Sequence, residues 1–222
     1  MSAANAIKNQ AEPQEPFDVR ERRMSPRVTT LMRAAKLIGL SGEYPCVVRD
    51  VSETGLRVKL FHPLPEGRVA LELAPGVHYF VERVWETNNE AGFLSAAAID
   101  VDEFLGVIGR NDGPAWFKVW ISGAVRSRNS SARVTVRALS QQGADIETGT
   151  HFALDEVVVL EADGLPRLDA RIAARNLSGY RLILADAFRL DELAKAIWAL
   201  PRWEADPRFE VLDGGKADQA SA

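Results

Sequence analysis

The feature that most narrows what this chain can fold into is an internal repeat. The stretches "YPCVVRDVSETGLRVK" at 44–59 and "RVTVRALSQQGADIE" at 133–147 each read as a valine-rich strand, then Ser-x-x-Gly, then a second strand. Ser140 follows Ser52 by 88 residues, and Gly143 follows Gly55 by the same 88. The offset also joins Arg49 to Arg137, Val69 to Val157, Gly76 to Gly164 and Arg83 to Arg171. One coincidence carries no weight. Six at one offset argue for a tandem duplication, and self-similarity of this kind constrains the fold ahead of any local detail. The 222 residues then divide into two units of about 100 residues, each able to bury its own core.

Within each unit the pattern is mainly β. Strands are expected over 28–40, 44–52, 55–60, 68–73, 78–86 and 93–99, several of them alternating apolar with polar residues, with Gly and Pro between them. A short helix is expected over 100–110. After "NDGP" at 111–114 the pattern restarts, with strands over 116–125, 132–140, 143–147, 156–162, 167–175 and 180–185. A helix follows over 190–200, with Leu190, Leu193, Ala194, Ile197 and Trp198 on one face. The expected fold is two tandem six-stranded antiparallel β-barrels, each followed by a short α-helix. The expected divisions are a disordered tail over 1–18, a first domain over 19–111, a second over 115–203 and a flexible tail over 204–222.

The two units differ in charge. "RERRMSPRV" places Arg20, Arg22, Arg23 and Arg27 just ahead of the first strand, and from Arg20 to Lys36 six basic residues stand against one acid, Glu21. The chain as a whole has a formal net charge of −4. That argues against a general nucleic-acid binder, which presents a basic surface, but leaves room for a local basic pocket. Where the first unit has Asp50, two residues ahead of Ser52, the second has Ala138.

Arg23-x-x-x-Arg27 ("RMSPR"), then a strand, then Asp50-x-Ser52-x-x-Gly55 ("DVSETG") resembles the PilZ domain family. The resemblance spans residues 20 to 110, and the second half matches in pattern alone. It implies a six-stranded PilZ-like barrel with a C-terminal helix that binds cyclic di-GMP through Arg23, Arg27, Asp50, Ser52 and Gly55, with Arg22 as an additional contact. The residue types suit that ligand on their own chemistry. The planar guanidinium pairs with phosphate oxygens and with guanine O6 and N7, and stacks on purine faces. A carboxylate is an acceptor, suited to guanine's N1 and N2 donors. Ser52 can donate to the ligand or brace the turn, and Gly55 permits a sharp turn and close approach. In the second unit no Arg-x-x-x-Arg precedes the first strand, and the acceptor is gone. It reads as a degenerate copy, left to pack on the first, to dimerise or to bind a protein partner.

No other constellation carries chemistry. His62, His78 and His151 have no carboxylate or cysteine at metal spacing, so no metal is expected. Cys46, the single cysteine, reads as a buried structural thiol. Asp102, Glu103, Asp191 and Glu192 fit helix starts. Trp116 and Trp120 share one face of a strand and are expected to pack in the core or between domains. No catalytic residue and no cofactor beyond the ligand are expected. Nor is a membrane span or a secretory signal, which leaves a cytoplasmic location as the expectation. The chain is thus expected to be a non-enzymatic cyclic di-GMP receptor. The alternatives are a PilZ-like interaction module that takes no nucleotide, and a nucleic-acid binder using the basic arm.

Overall fold

The computed structural model describes residues 28–109, 113–128 and 130–201. Arg20, Arg22, Arg23 and Arg27 and both expected tails lie outside the described residues. Six strands form the first unit: β1 (Val28–Gly39), β2 (Gly42–Ser52), β3 (Gly55–Lys59), β4 (Val69–Ala74), β5 (Val77–Glu86) and β6 (Glu90–Ser95), followed by α1 (Val101–Gly109). The second unit repeats the plan with β7 (Phe117–Arg126), β8 (Ser131–Leu139), β9 (Gly143–Glu147), β10 (Val157–Ala162), β11 (Leu168–Arg175), β12 (Gly179–Leu184) and α2 (Leu190–Ala199).

Both sheets close on themselves. The strand order is β1-β2-β3-β6-β5-β4 in the first and β7-β8-β9-β12-β11-β10 in the second, with β4 returning to β1 and β10 to β7. The order is the same when each strand is advanced by six, so the sequence repeat is also a topological one. Closure leaves no unpaired edge in either unit. The register irregularities repeat too. The β2–β3 pairing slips at Arg49 and the β8–β9 pairing slips at Arg137, the residue 88 positions on. Such slips re-aim side chains locally.

Alternation in β7 shows how sequence becomes wall. Phe117, Val119 and Ile121 are buried in the barrel, while Lys118 and Trp120 point outward. Trp116 and Trp120 therefore do not enter the core; of the two expected places it is the border between the units that they occupy, Trp120 beside Gly42, Glu43 and Tyr44 and Trp116 beside Arg33, Lys36 and Glu72. Trp120 is 60% exposed, because the neighbouring odd-numbered apolar residues take the interior side. The sixth strand also differs from expectation, running over 90–95 rather than 93–99. Beyond Ser95 the ladder gives way to turn bonds, Ser95 N–H to Thr54 O at 2.9 Å and Ile99 N–H to Glu53 O at 2.8 Å, and Ala96, Ala97 and Ala98 are left exposed.

The units share a junction. β2 is buried along nearly its whole length, since one face lines its own barrel and the other meets β7 and α2. Glu43 sits there with its side chain 1% exposed. It accepts from Lys36 Nζ of β1 at 3.0 Å and from the Lys118 backbone N–H of β7 at 2.8 Å. Beside it, Trp198 of α2 stacks on His62 (ring centroids 5.0 Å, planes 9° apart) and tilts against Tyr44 at 5.2 Å. Leu193, Ala194 and Ile197 form the buried stripe of α2. Cys46 is fully buried, and burial raises its thiol pKa well above the ordinary value, as expected of a structural thiol.

Candidate functional site

The β2–β3 turn brings Asp50, Ser52 and Gly55 together. Ser52 Oγ donates to Gly55 O at 3.1 Å, closing the turn from inside, and Ser52 is itself buried. Gly55 faces β6 so closely that a Cβ would run into Phe93 O. The glycine is thus demanded by the β3–β6 contact. The second barrel repeats the arrangement. Ser140 Oγ donates to Gly143 O at 3.4 Å, Ser140 N–H reaches the same carbonyl at 2.9 Å, and a Cβ on Gly143 would lie 2.6 Å from Leu182 O. Ser-x-x-Gly is therefore a clasp of the fold in both copies. What differs between them is charge.

In the first barrel Asp50 and Arg57 are cross-strand partners. Arg57 Nε donates to Asp50 Oδ2 at 2.6 Å, and Arg57 Nη1 reaches Glu90 Oε2 of β6 at 3.3 Å. Glu90 Oε1 lies 3.7 Å from Arg49 Nε. The Asp50 side chain is only 6% exposed against 37% for Arg57, so the carboxylate forms a recessed floor and the guanidinium a partly solvated cover. Beside this network an open hollow of about 580 Å³ is lined by Arg49, Lys59, Thr87, Asn88, Asn89 and Glu90. The neighbouring β5 residues do not join it. Trp85 lies over Gly92, where a Cβ would strike its indole, and Arg83 pairs with Glu86 at 2.8 Å.

β1 connects this floor to the basic segment. Val28 pairs with Val51 and Thr29 with Asp50. Arg27 precedes Val28 by one peptide bond, so the chain enters the barrel beside the Asp50–Ser52 stretch. Sequence reasoning found Asp50 and missed Arg57, although its place seven residues on, across a two-residue turn, makes it the facing residue of a hairpin.

In the second barrel the residue facing Ala138 is Asp145, the counterpart of Arg57. Ala138 leaves the β8 position without an acceptor, as expected, and the carboxylate of this hairpin stands opposite, on β9. Arg181 of β12 binds Asp145 with two bonds, Nε to Oδ1 and Nη2 to Oδ2, each 2.8 Å. Its guanidinium lies over the Trp116 ring, 4.4 Å from the centroid, and Arg137 lies 3.4 Å from the centroid of Trp120. The Arg181 pKa is raised, first by the bond to Asp145. This side of the second barrel is an ordered surface of stacked Arg–Trp pairs tied to carboxylates.

No family model and no curated protein matches the chain. Among solved structures it is similar to the Borreliella burgdorferi PlzA protein in complex with c-di-GMP, at 11% identity over 80% of this chain and 93% of that one, with a TM-score of 0.28. The Bacillus subtilis inhibitor of motility MotI/DgrA follows at 8% identity over 82% and 97%, TM-score 0.33. The K. pneumonia MrkH–c-di-GMP complex is similar at 11% identity over 82% and 89%, TM-score 0.32. At such identities and scores these similarities add no weight to the geometry above.

Proposed function

We propose that the chain is a receptor for cyclic di-GMP, taken up by residues 19–111 at the β2–β3 turn, with residues 115–203 as a companion barrel that binds no nucleotide. The observation that supports the reading is the register of β1, whose first residues, Val28 and Thr29, pair with Val51 and Asp50; in sequence Arg23 and Arg27 stand just ahead of Val28. Cyclic di-GMP has two phosphates, two guanine donor edges and flat purine faces. Asp50 accepts from a guanine edge, and Arg23 and Arg27 pair with phosphate or stack on the base, with Arg22 as a further contact. Ser52 and Gly55 hold the turn that presents Asp50. Charge-assisted bonds are worth roughly 1.5–3 kcal/mol each, and a few of them, net of the cost of ordering the arm, fit micromolar binding, about −8 kcal/mol. The protein acts by binding rather than by catalysis, and the second barrel passes the signal to a protein partner.

Isothermal titration of cyclic di-GMP into the wild type, Arg23→Ala and Asp50→Ala tests this. Saturable binding by the wild type, lost in both variants, with one binding domain per chain, is the expected result. Variants that bind as the wild type does would sink the assignment of the site. The second reading, a protein-interaction module that takes no nucleotide, draws on the outward Trp120, since exposed Trp and Arg are typical anchors of interfaces. It predicts no heat at any nucleotide concentration.

A further inference from the structure

We infer that Arg57 is a built-in, displaceable occupant of the Asp50 carboxylate, and that nucleotide binding proceeds by exchange, Arg57 leaving Asp50 for Glu90 as a guanine edge takes its place. The inference rests on the cyclic di-GMP reading and adds a control element to the same site. A guanidinium offers adjacent N–H donors in one plane. So does the N1/N2 edge of guanine. The two are rivals for one acceptor, and the structure has the protein's own group in place, with Arg57 Nε 2.6 Å from Asp50 Oδ2.

The exchange has a ready second seat. The same guanidinium already touches Glu90 Oε2 at 3.3 Å, and the Glu90 side chain is 30% exposed while that of Asp50 is 6% exposed. A short swing moves Arg57 from a recessed carboxylate to a solvated one without stranding its charge. The second barrel offers a contrast in geometry. Arg181 engages Asp145 through two bonds and is stacked on Trp116, whereas Arg57 divides itself between two acids, Nε on Asp50 and Nη1 on Glu90.

Two substitutions move the equilibrium in opposite directions. Arg57→Gln removes the rival charge and is expected to tighten cyclic di-GMP binding at least about fivefold. Glu90→Gln removes the second seat, keeps Arg57 on Asp50, and is expected to weaken binding several-fold. A merely structural role for the network would weaken binding in both. In the wild type, the Arg57 Nε–H resonance is expected to shift as cyclic di-GMP is titrated in, a readout that does not depend on either variant folding. Wild-type binding with Arg57→Gln equal or weaker, or with the Arg57 resonance unmoved, overturns the exchange and leaves the receptor reading standing. No binding by the wild type or by Arg57→Gln, with both folded by thermal melt, overturns the receptor reading and the exchange with it.

Discussion

Replacing Glu43 tests the junction between the barrels most directly. Its carboxylate is 1% exposed, is held by Lys36 Nζ at 3.0 Å, and is the acceptor for the Lys118 backbone N–H at 2.8 Å. Glu43→Ala removes the anion and leaves Lys36, itself 11% exposed, with Glu72 at 3.5 Å as its remaining carboxylate. It also strips the half-buried Lys118 N–H of its side-chain acceptor. Removing one member of a buried pair costs about 3–5 kcal/mol. The surviving Glu72 contact puts the expected loss near the low end, about 3 kcal/mol. Glu43→Gln keeps an oxygen for the N–H and loses only the charge, for a smaller loss of roughly 1–2 kcal/mol. Adding Lys36→Met to Glu43→Gln removes both charges together and is expected to be less destabilising than Glu43→Ala alone, because no uncompensated ammonium remains. Urea denaturation followed by tryptophan fluorescence reads all three. A Glu43→Ala loss below about 1 kcal/mol, within the range of exposed pairs, would refute the argument that the junction is dry and the pair is worth its buried value.

Three further outcomes are expected. Gly55→Ala and Gly143→Ala each drive a methyl into a backbone carbonyl and should each lower the melting temperature far more than Ser52→Ala, which deletes one hydrogen bond worth about 1 kcal/mol; circular dichroism melts would show otherwise if the carbonyls can retreat. Burial lowers the His62 pKa from its ordinary 6.5 against the opposing pull of the Pro63 and Pro45 carbonyls. The unfolded chain therefore binds the extra proton first, so stability is full above about pH 6.5 and declines as pH falls through the lowered folded value; His62→Phe should flatten that decline in melts taken from pH 5 to 8. Trp120→Ala is expected to change stability by no more than about 1 kcal/mol, the scale of an exposed cation–π pair with Arg137, and a larger drop would mean that Trp120 belongs to the core after all.

Much of the fold was legible because its determinants are local. Alternation, turn residues and the 88-residue offset mark the succession of strands and the two-barrel plan, and the helix stripe at Leu193, Ala194 and Ile197 follows from spacing alone. Asp50 was legible as an acceptor through its neighbours Ser52 and Gly55. The unread part was set by partners distant in the chain. Arg57 and Asp145 matter through cross-strand register, Glu90 and Arg181 reach them from strands more than 30 residues away, and Gly55 answers to Phe93 of β6. For the tryptophans, periodicity gives a shared face but not which face is inward; Phe117, Val119 and Ile121 decide that by claiming the interior. Glu43 gives no sign in the sequence of being buried, since what buries it is the other barrel.

β2 has one further property. It carries Asp50 near one end and Glu43 and Tyr44 at the other, with six residues between the two acids, roughly 23 Å of extended chain. Strands resist stretching along their length far better than they resist bending, and this one is braced on both faces. The strand that would grip a ligand at one end is thus the strut that bears on the second barrel at the other. Were binding to displace the turn, the same strand would meet the Glu43 carboxylate and the ring stack of Tyr44, His62 and Trp198 at its other end.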